Sequence, residues 1–419
     1  MARVMVVGSG WRFTSGISYY TCRLANELSA RHHTSALLMR RLVPAWAYPG
    51  RARVGVAVNE LAYRDEVEVF DGVDWYWGPS MRRARAFLHE QRPEVVVLQW
   101  WTGAVLHSYL ALAAEARRVG AEVVVEFHES HDSGEARIPL VSDYVRLGLP
   151  RLLARATAAV VHSDFDRRTL LRNFPALEEL PLAVVPHGPY DHVGVAEHGD
   201  TAEQRGVGER RGLVAQRGRA SVEDDVPADR PVRLLFFGTI RPYKGLEHLV
   251  AAFDLLSPEE AAGFELEIVG ETWEGWTLPL ELVATSPYRD RIHVTNRYVT
   301  DAEVRGAFAR ADVVVLPYLR SSASGPLHVA MSAGLPVIVT SVGGLSEAVS
   351  PYRGAVTVPP ADPPRLARAL RESRELVGRR FPDPHSWTTT CEAIEHLVRI
   401  RPELESIPVG GWGSGVVTP

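Results

Sequence analysis

Among 46 basic residues the sequence holds a single lysine, Lys244; every other one is arginine. It lies in Phe236-Phe237-Gly238-Thr239-Ile240-Arg241-Pro242-Tyr243-Lys244-Gly245-Leu246, three positions after Arg241 and just ahead of a helix-period run from Leu246 to Leu256. A cation at a helix N-terminus opposes the helix dipole, at a cost of roughly a few tenths of a kcal/mol, unless an anion sits nearby. Two cations on one loop suit a diphosphate. A solvated basic loop is the plain alternative, and retention of the one lysine in an arginine-replacing sequence favours the ligand.

Three other loops have anion-site character. Gly8-Ser9-Gly10-Trp11-Arg12-Phe13-Thr14-Ser15-Gly16 joins a strand to a helix, where backbone N–H groups and a helix N-terminus can face phosphate. A dinucleotide fingerprint would need glycine three residues after Gly10, where Phe13 stands, so a nicotinamide cofactor is poorly supported. A tight turn without ligand reads equally well here. Arg320-Ser321-Ser322-Ala323-Ser324-Gly325-Pro326 offers Ser324 as an N-cap, Pro326 in a first helical turn and small residues for close approach. Val342-Gly343-Gly344-Leu345-Ser346-Glu347 repeats the strand-loop-helix pattern, with Glu347 either on a ligand or complementing the helix dipole.

The elements that must carry these loops alternate along the chain. Short runs that are apolar on both faces occur at Arg3–Val7, Ser35–Met39, Val95–Leu98, Glu122–Glu126 and Ala158–Val161. Helix-period segments separate them at Ser18–Ala30, Met81–Gln91, Gly103–Arg118 and Asp164–Asn173. A second series opens at Arg233–Phe237 and continues through Glu265–Val269, Ile292–Thr295, Asp312–Leu316 and Pro336–Val339. Such runs fit strands buried in parallel sheets, so both halves are α/β. We expect an N-terminal domain over 1–190, a polar linker or insertion over 191–231 and a second domain over 232–385. A C-terminal helix with a frayed tail then fills 386–419.

A length of 419 residues, 46% apolar and 23% charged residues, and a net charge of −5 describe a multidomain globular chain without a nucleic-acid footprint. Cys22 and Cys391 lack metal-ligand spacing and read as reduced core thiols. The Val4–Val7 run is too short for a secretory signal, and no window reaches membrane-span length, so the expected location is cytoplasmic. Asp164 and Asp166 have the spacing of a metal-binding pair. Behind Ser163 they read better as a helix cap and dipole partners, and no metal is expected.

The motifs FFGTIRPYKGLEHLVAAF, LEIVG, DAEVRGAFARADVVVLPY and SGPLHVAMSAGLPVIVTSVGGLSEAV, in that order, resemble the donor domain of retaining GT-B-fold glycosyltransferases of family four. SGISYYTCRLANELSARHH, VVEFHESHD and AVVPHG are similar to landmarks of that family's N-terminal domain. The resemblance implies two Rossmann-like domains with parallel sheets facing across a cleft, the C-terminal helix returning to the N-terminal domain. It also implies a nucleotide-diphosphate sugar as co-substrate, no other cofactor, and transfer of a hexose-type sugar with retention. By the same resemblance Arg241 and Lys244 hold the donor diphosphate with Gly16, and His128 contacts the donor sugar near the reaction centre; the serine loop, read above as an anion site, adds Ser324 and Gly325 to the diphosphate. Gly10, Ser321, Gly343, Gly344 and Glu347 fall to the nucleotide or sugar.

One departure from the family pattern concerns its glutamate pair, whose positions hold Ser321 and Val329. Val329 cannot hydrogen-bond a ribose, so ribose binding shifts to Glu347 or the serine loop, or the donor differs; a subset of the family is similar in carrying a Ser-Gly loop. On the acceptor side Trp11, Trp100 and Trp101 offer stacking faces, and Glu129 and Asp132 beside His128 can orient a hydroxyl. The expected partners are the nucleotide sugar and a small-molecule, glycan or lipid-linked acceptor, with the chain a monomer or homodimer. Arg82, Arg83 and Arg85 would allow weak peripheral membrane contact, though a solvated face explains them more simply. A sugar-nucleotide epimerase, a sugar phosphorylase and a non-catalytic nucleotide-sugar-binding partner share these features and stay open.

Overall fold

The computed structural model describes residues 1–11, 16–42, 61–129, 139–190, 230–273 and 275–400. The first half runs β1 (Arg3–Ser9), α1 (Gly16–Ser29), β2 (His33–Arg41), β3 (Glu68–Asp74), α2 (Gly78–Gln91) and β4 (Val95–Trp100). It continues with α3 (Leu106–Arg118), β5 (Glu122–Phe127), α4 (Pro139–Leu153), β6 (Ala158–Val161), α5 (Asp164–Asn173) and β7 (Leu182–Val184). The second half begins β8 (Val232–Phe237), α6 (Leu246–Asp254), α7 (Pro258–Ala262), β9 (Phe264–Val269), α8 (Leu278–Thr285), β10 (Ile292–Thr295) and α9 (Asp301–Arg310). Then follow β11 (Val313–Leu316), α10 (Gly325–Ser332), β12 (Val337–Thr340), α11 (Gly343–Val349), β13 (Ala355–Val358), α12 (Pro363–Glu372) and α13 (Trp387–Val398).

Two sheets result, ordered β3-β2-β1-β4-β5-β6-β7 and β10-β9-β8-β11-β12-β13, with parallel pairing throughout. In both, the strand order reverses beside the first strand of the domain. Loops at the carboxyl ends of β1 and β4, and of β8 and β11, therefore open on the crevices where such sheets take ligands. The strands are apolar on both faces because helices cover both sides: every residue of β4 and β6 is buried.

The two-face apolar criterion finds ten of these strands and misses β3, β7 and β13. All three are sheet edges. An edge strand has one unpaired side and partial exposure, so the both-faces-apolar signal is weak there: β3 contains Asp71 and Gly72, β7 has only three residues, none buried, and of the four edges only β10 was found.

The C-terminal helix crosses back to the first domain. Ser386 caps α13, its hydroxyl accepting from the Thr388 N–H. Trp387 is buried, and its indole N–H donates to the Pro189 carbonyl at 2.8 Å. Its ring lies where a Cβ on Gly188 would stand, 2.4 Å away, so only glycine fits there. Burying a ring of this size is worth on the order of 4 kcal/mol before entropic costs. Further along α13, Glu395 accepts two hydrogen bonds of 2.7 Å from the Arg31 guanidinium and lies 3.0 Å from His32 Nε2.

Candidate active site between the two domains

Lys244 closes a single 3-10 turn, Pro242–Lys244, and Gly245 follows in the left-handed region at φ 64° to start α6. A Cβ on Gly245 would stand 2.1 Å from the Pro317 carbonyl oxygen, so this glycine lets the loop after β8 press against the end of β11. The lysine is buried as a result. Its ammonium lies 3.8 Å from the centre of the Tyr318 ring and 5.2 Å from that of Tyr243. Burial lowers its pKa, nearby Arg241 adds to the lowering, and Tyr243 and Glu129 oppose it. Lys244 forms no salt bridge with a described residue; aromatic faces, a side-chain hydrogen bond with Tyr243 and the charge of Glu129 offset its desolvation. Arg241 lies on the same aromatic group, 5.3 Å from the Tyr243 ring centre and 5.6 Å from that of Trp273.

Ser324 is the N-cap of α10: its hydroxyl accepts from the Leu327 N–H at 3.4 Å and lies 3.3 Å from the Tyr318 hydroxyl. Tyr318 thus joins the lysine to the α10 N-terminus, where Gly325 is the first helical residue. Ser321 turns inward, donating to the Ala323 carbonyl, whereas the neighbouring Ser322 donates to Glu129 of the first domain at 3.4 Å. Val329 is buried in the core. Gly343 has φ 47°, and a Cβ there would meet the Ser321 carbonyl oxygen at 2.1 Å; one on Gly344 would meet that of Ser322 at 2.1 Å. The paired glycines therefore serve close packing of the two loops. Glu347 reaches the first domain, accepting from the backbone N–H groups of Asp164 at 2.6 Å and Phe165 at 2.9 Å.

On the opposite wall, β5 ends at Phe127 and His128 follows it, buried. His162 follows β6, and its Nδ1 donates to the Val185 carbonyl at 2.8 Å. Burial holds the His162 pKa down at about 4, so the ring is neutral and its Nε2 is a lone pair. His128 Nδ1, 3.1 Å away, must then be the donor, and His128 Nε2 is left as an acceptor without a protein partner. Beneath this pair Glu126 accepts from the Tyr20 hydroxyl at 2.5 Å and from the Gln99 amide at 2.9 Å. Burial pushes its pKa up to about 7. His187, just past β7, is buried with no partner for either ring nitrogen. Leaving a buried polar atom unsatisfied costs about 1–3 kcal/mol.

Of the glycine loop after β1, residues 12–15 lie outside the described residues, and its two ends are held by hydrogen bonds. The Gly10 carbonyl accepts from Ser18 at 3.0 Å, and a Cβ on Gly10 would lie 3.2 Å from Asp71 and Leu38. The Gly16 carbonyl accepts from the Tyr190 hydroxyl at 3.3 Å. Trp100 is in the core, 6.2 Å from Phe127 ring to ring, and Trp101 is half-buried against Tyr109. Trp11 uses its indole N–H on the Leu61 carbonyl. Asp132 lies outside the described residues. Ser163 caps α5 by accepting from the Asp166 N–H, so Asp164 and Asp166 occupy a first helical turn.

Residues 15–188 match the family described as "Glycosyl transferase 4-like domain", and residues 231–374 match "Glycosyl transferases group 1". The fold of the chain is GT-B. Among curated relatives, D-inositol 3-phosphate glycosyltransferase of Arthrobacter sp. (strain FB24) is 31% identical over 190 residues, 45% of this chain and 43% of that protein. This GT-B chain thus spans less than half the length of that relative in the matched region. The fold is that of sucrose-phosphate synthase from Thermosynechococcus elongatus, with TM-score 0.61, 17% identity, and coverage of 95% of this chain and 98% of that one. The catalytic domain of starch synthase IV from Arabidopsis thaliana, bound to ADP and acarbose, gives TM-score 0.65 and 12% identity over 95% and 99% of the two chains.

In this GT-B frame Arg241 and Lys244 share the Tyr243 ring, Tyr318 links Lys244 to Ser324 beside Gly325, and Glu129, next to His128 in the chain, meets Ser322 and acts on the Lys244 charge. Sequence reading passed over His162, His187 and Tyr318. A signal was present: three neighbouring strands, β5, β6 and β7, are each followed within three residues by histidine.

Proposed function

We propose that the chain is a retaining glycosyltransferase that moves a hexose-type sugar from a nucleoside-diphosphate donor to an acceptor hydroxyl. The observation that supports this most is Lys244: a buried ammonium beside Arg241 and the α10 N-terminus, with no salt bridge to a described residue. A diphosphate seated there would supply the missing counter-charge and meet the backbone N–H groups of Gly325 and its neighbours.

In this reading the bond between the anomeric carbon and the diphosphate oxygen breaks while the acceptor oxygen bonds to the same face of the sugar. The acceptor proton passes to a diphosphate oxygen, and no protein nucleophile is required. Lys244, Arg241 and the helix N-terminus stabilise the charge that develops on the leaving diphosphate, the task a metal performs elsewhere. His128 Nε2, fixed as an acceptor by His162, would receive a hydroxyl of the donor sugar. The Glu129 carboxylate, tied to Ser322, would orient the acceptor or a second sugar hydroxyl.

The test is a calorimetric screen of UDP, GDP, ADP and dTDP, then turnover of the matching sugar nucleotides in chelator-treated buffer, with the product's anomeric configuration read by NMR. An inverted product, or a sugar-enzyme adduct, would refute the mechanism. Failure of all four diphosphates to bind would refute the donor site.

A further inference from the structure

We infer that His128, His162 and His187 form a binding site for a divalent transition-metal ion of the Zn²⁺ class, separate from the diphosphate cations. One ligand atom from each can be chosen so that all three lie within 4.8 Å of one another. Among the described residues this is the one group of three or more His, Cys, Asp or Glu side chains so arranged. The rings descend from three adjacent parallel strands, in register where Phe127 pairs with Val161 and Val161 with Val184. The strand ends therefore set the spacing.

Two independent features point to a metal ligand set. First, His162 Nδ1 donates to the Val185 carbonyl, the outer hydrogen bond that fixes a metal-binding imidazole and presents Nε2. That Nε2 lies 3.1 Å from His128 Nδ1, close to the separation of about 3.3 Å between two nitrogens on a tetrahedral zinc. Second, both nitrogens of His187 are buried without a partner, so one is available to an ion at no cost in protein hydrogen bonds. Its ring centre is 3.9 Å from that of His162, and His328 stacks on it at 4.9 Å. A carboxylate oxygen of Glu126, 3.8 Å from His162 Nε2, supplies the counter-charge. Imidazole donors without thiolate or a carboxylate cage suit zinc, cobalt, nickel or copper rather than magnesium or calcium.

Occupancy has a chemical consequence. A metal on His128 Nδ1 displaces that proton, and the neutral ring carries its hydrogen on Nε2. The atom facing outward changes from acceptor to donor, so the ion would act as a switch on donor-sugar binding. This last step rests on the transferase reading; the site itself does not.

The experiment uses the full-length chain without a histidine tag, stripped by chelator and titrated with CoCl₂. One equivalent should produce the visible absorption of tetrahedral cobalt and be bleached by one equivalent of Zn²⁺. His187→Gln should weaken cobalt binding at least about tenfold, while His33→Gln, on an exposed residue, should not. No cobalt spectrum, or an undiminished one in a folded His187→Gln protein, overturns the site. Zinc-edge X-ray absorption of the wild type decides even if that variant fails to fold: three imidazoles support the site, and fewer overturn it. Donor KM with and without one equivalent of Zn²⁺ then tests the switch. An unchanged KM rejects the switch alone, and absence of any turnover counts against the transferase reading and leaves the cobalt result standing.

Discussion

The Glu347 carboxylate of the second domain accepts the backbone N–H of Phe165 in the first domain at 2.9 Å, at the N-terminus of α5. With the companion bond from Asp164, it caps a helix across the domain boundary. An anion in that position interacts favourably with the helix dipole as well as with the donors. The carboxylate is about a third exposed, so solvent screens part of the gain.

Glu347→Ala should therefore lower stability by about 1 kcal/mol, read as a fall in the thermal midpoint, and widen the cleft in solution scattering. A rise in donor KM with unchanged stability would show instead that Glu347 holds the nucleotide.

Lys244→Ala should weaken nucleoside-diphosphate binding by about 10- to 100-fold, in line with loss of a charge-assisted contact worth ~1.5–3 kcal/mol. Lys244→Arg is the sharper variant. The ammonium sits 3.8 Å from the Tyr318 ring centre, and a guanidinium is bulkier and presents its donors in a fixed planar fork in place of a compact point charge. Calorimetry should find the arginine variant weaker than wild type.

Gly343→Ala should destabilise by roughly 1–3 kcal/mol, because a Cβ would meet the Ser321 carbonyl at 2.1 Å and φ is 47°. Denaturant unfolding measures it. Loss of donor binding at unchanged stability would make this glycine a ligand contact rather than a packing contact.

Cys22 and Cys391 are buried and free, and burial pushes the Cys22 thiol up to about 12. Only the thiolate reacts, so at pH 8 neither should titrate with a disulfide reagent in the folded protein, and both should after denaturation. Rapid native reaction of either one would contradict this burial.

His32 is buried beside Glu395, and its desolvation outweighs the pull of that carboxylate, leaving its pKa below 6.5. The folded state then binds fewer protons than the unfolded one. The contribution is complete above pH 6.5 and is lost as pH falls below it, at no more than about 1.4 kcal/mol per pH unit. Unfolding midpoints between pH 8 and 5 should fall more steeply for wild type than for His32→Asn. Parallel slopes would refute the assignment.

The sequence by itself determined the two α/β series, because strands covered on both faces must be apolar throughout, and it singled out Lys244 through the rarity of lysine. It also offered Ser324 as a cap, since a helix start needs a local acceptor, whereas the cap of α5 proved to be Ser163 rather than the aspartates behind it. It did not reveal three of the four edge strands, β3, β7 and β13, which are polar, short or partly exposed. Roles that depend on a neighbour far along the chain were decided by tertiary structure alone. Glu347 meets Phe165 over 182 positions, and Ser322 rather than Ser321 meets Glu129 over 193. The donor state of His128 is set by His162 and Val185, because a proton's place on an imidazole follows from the partners around it, and those are brought together only by the sheet.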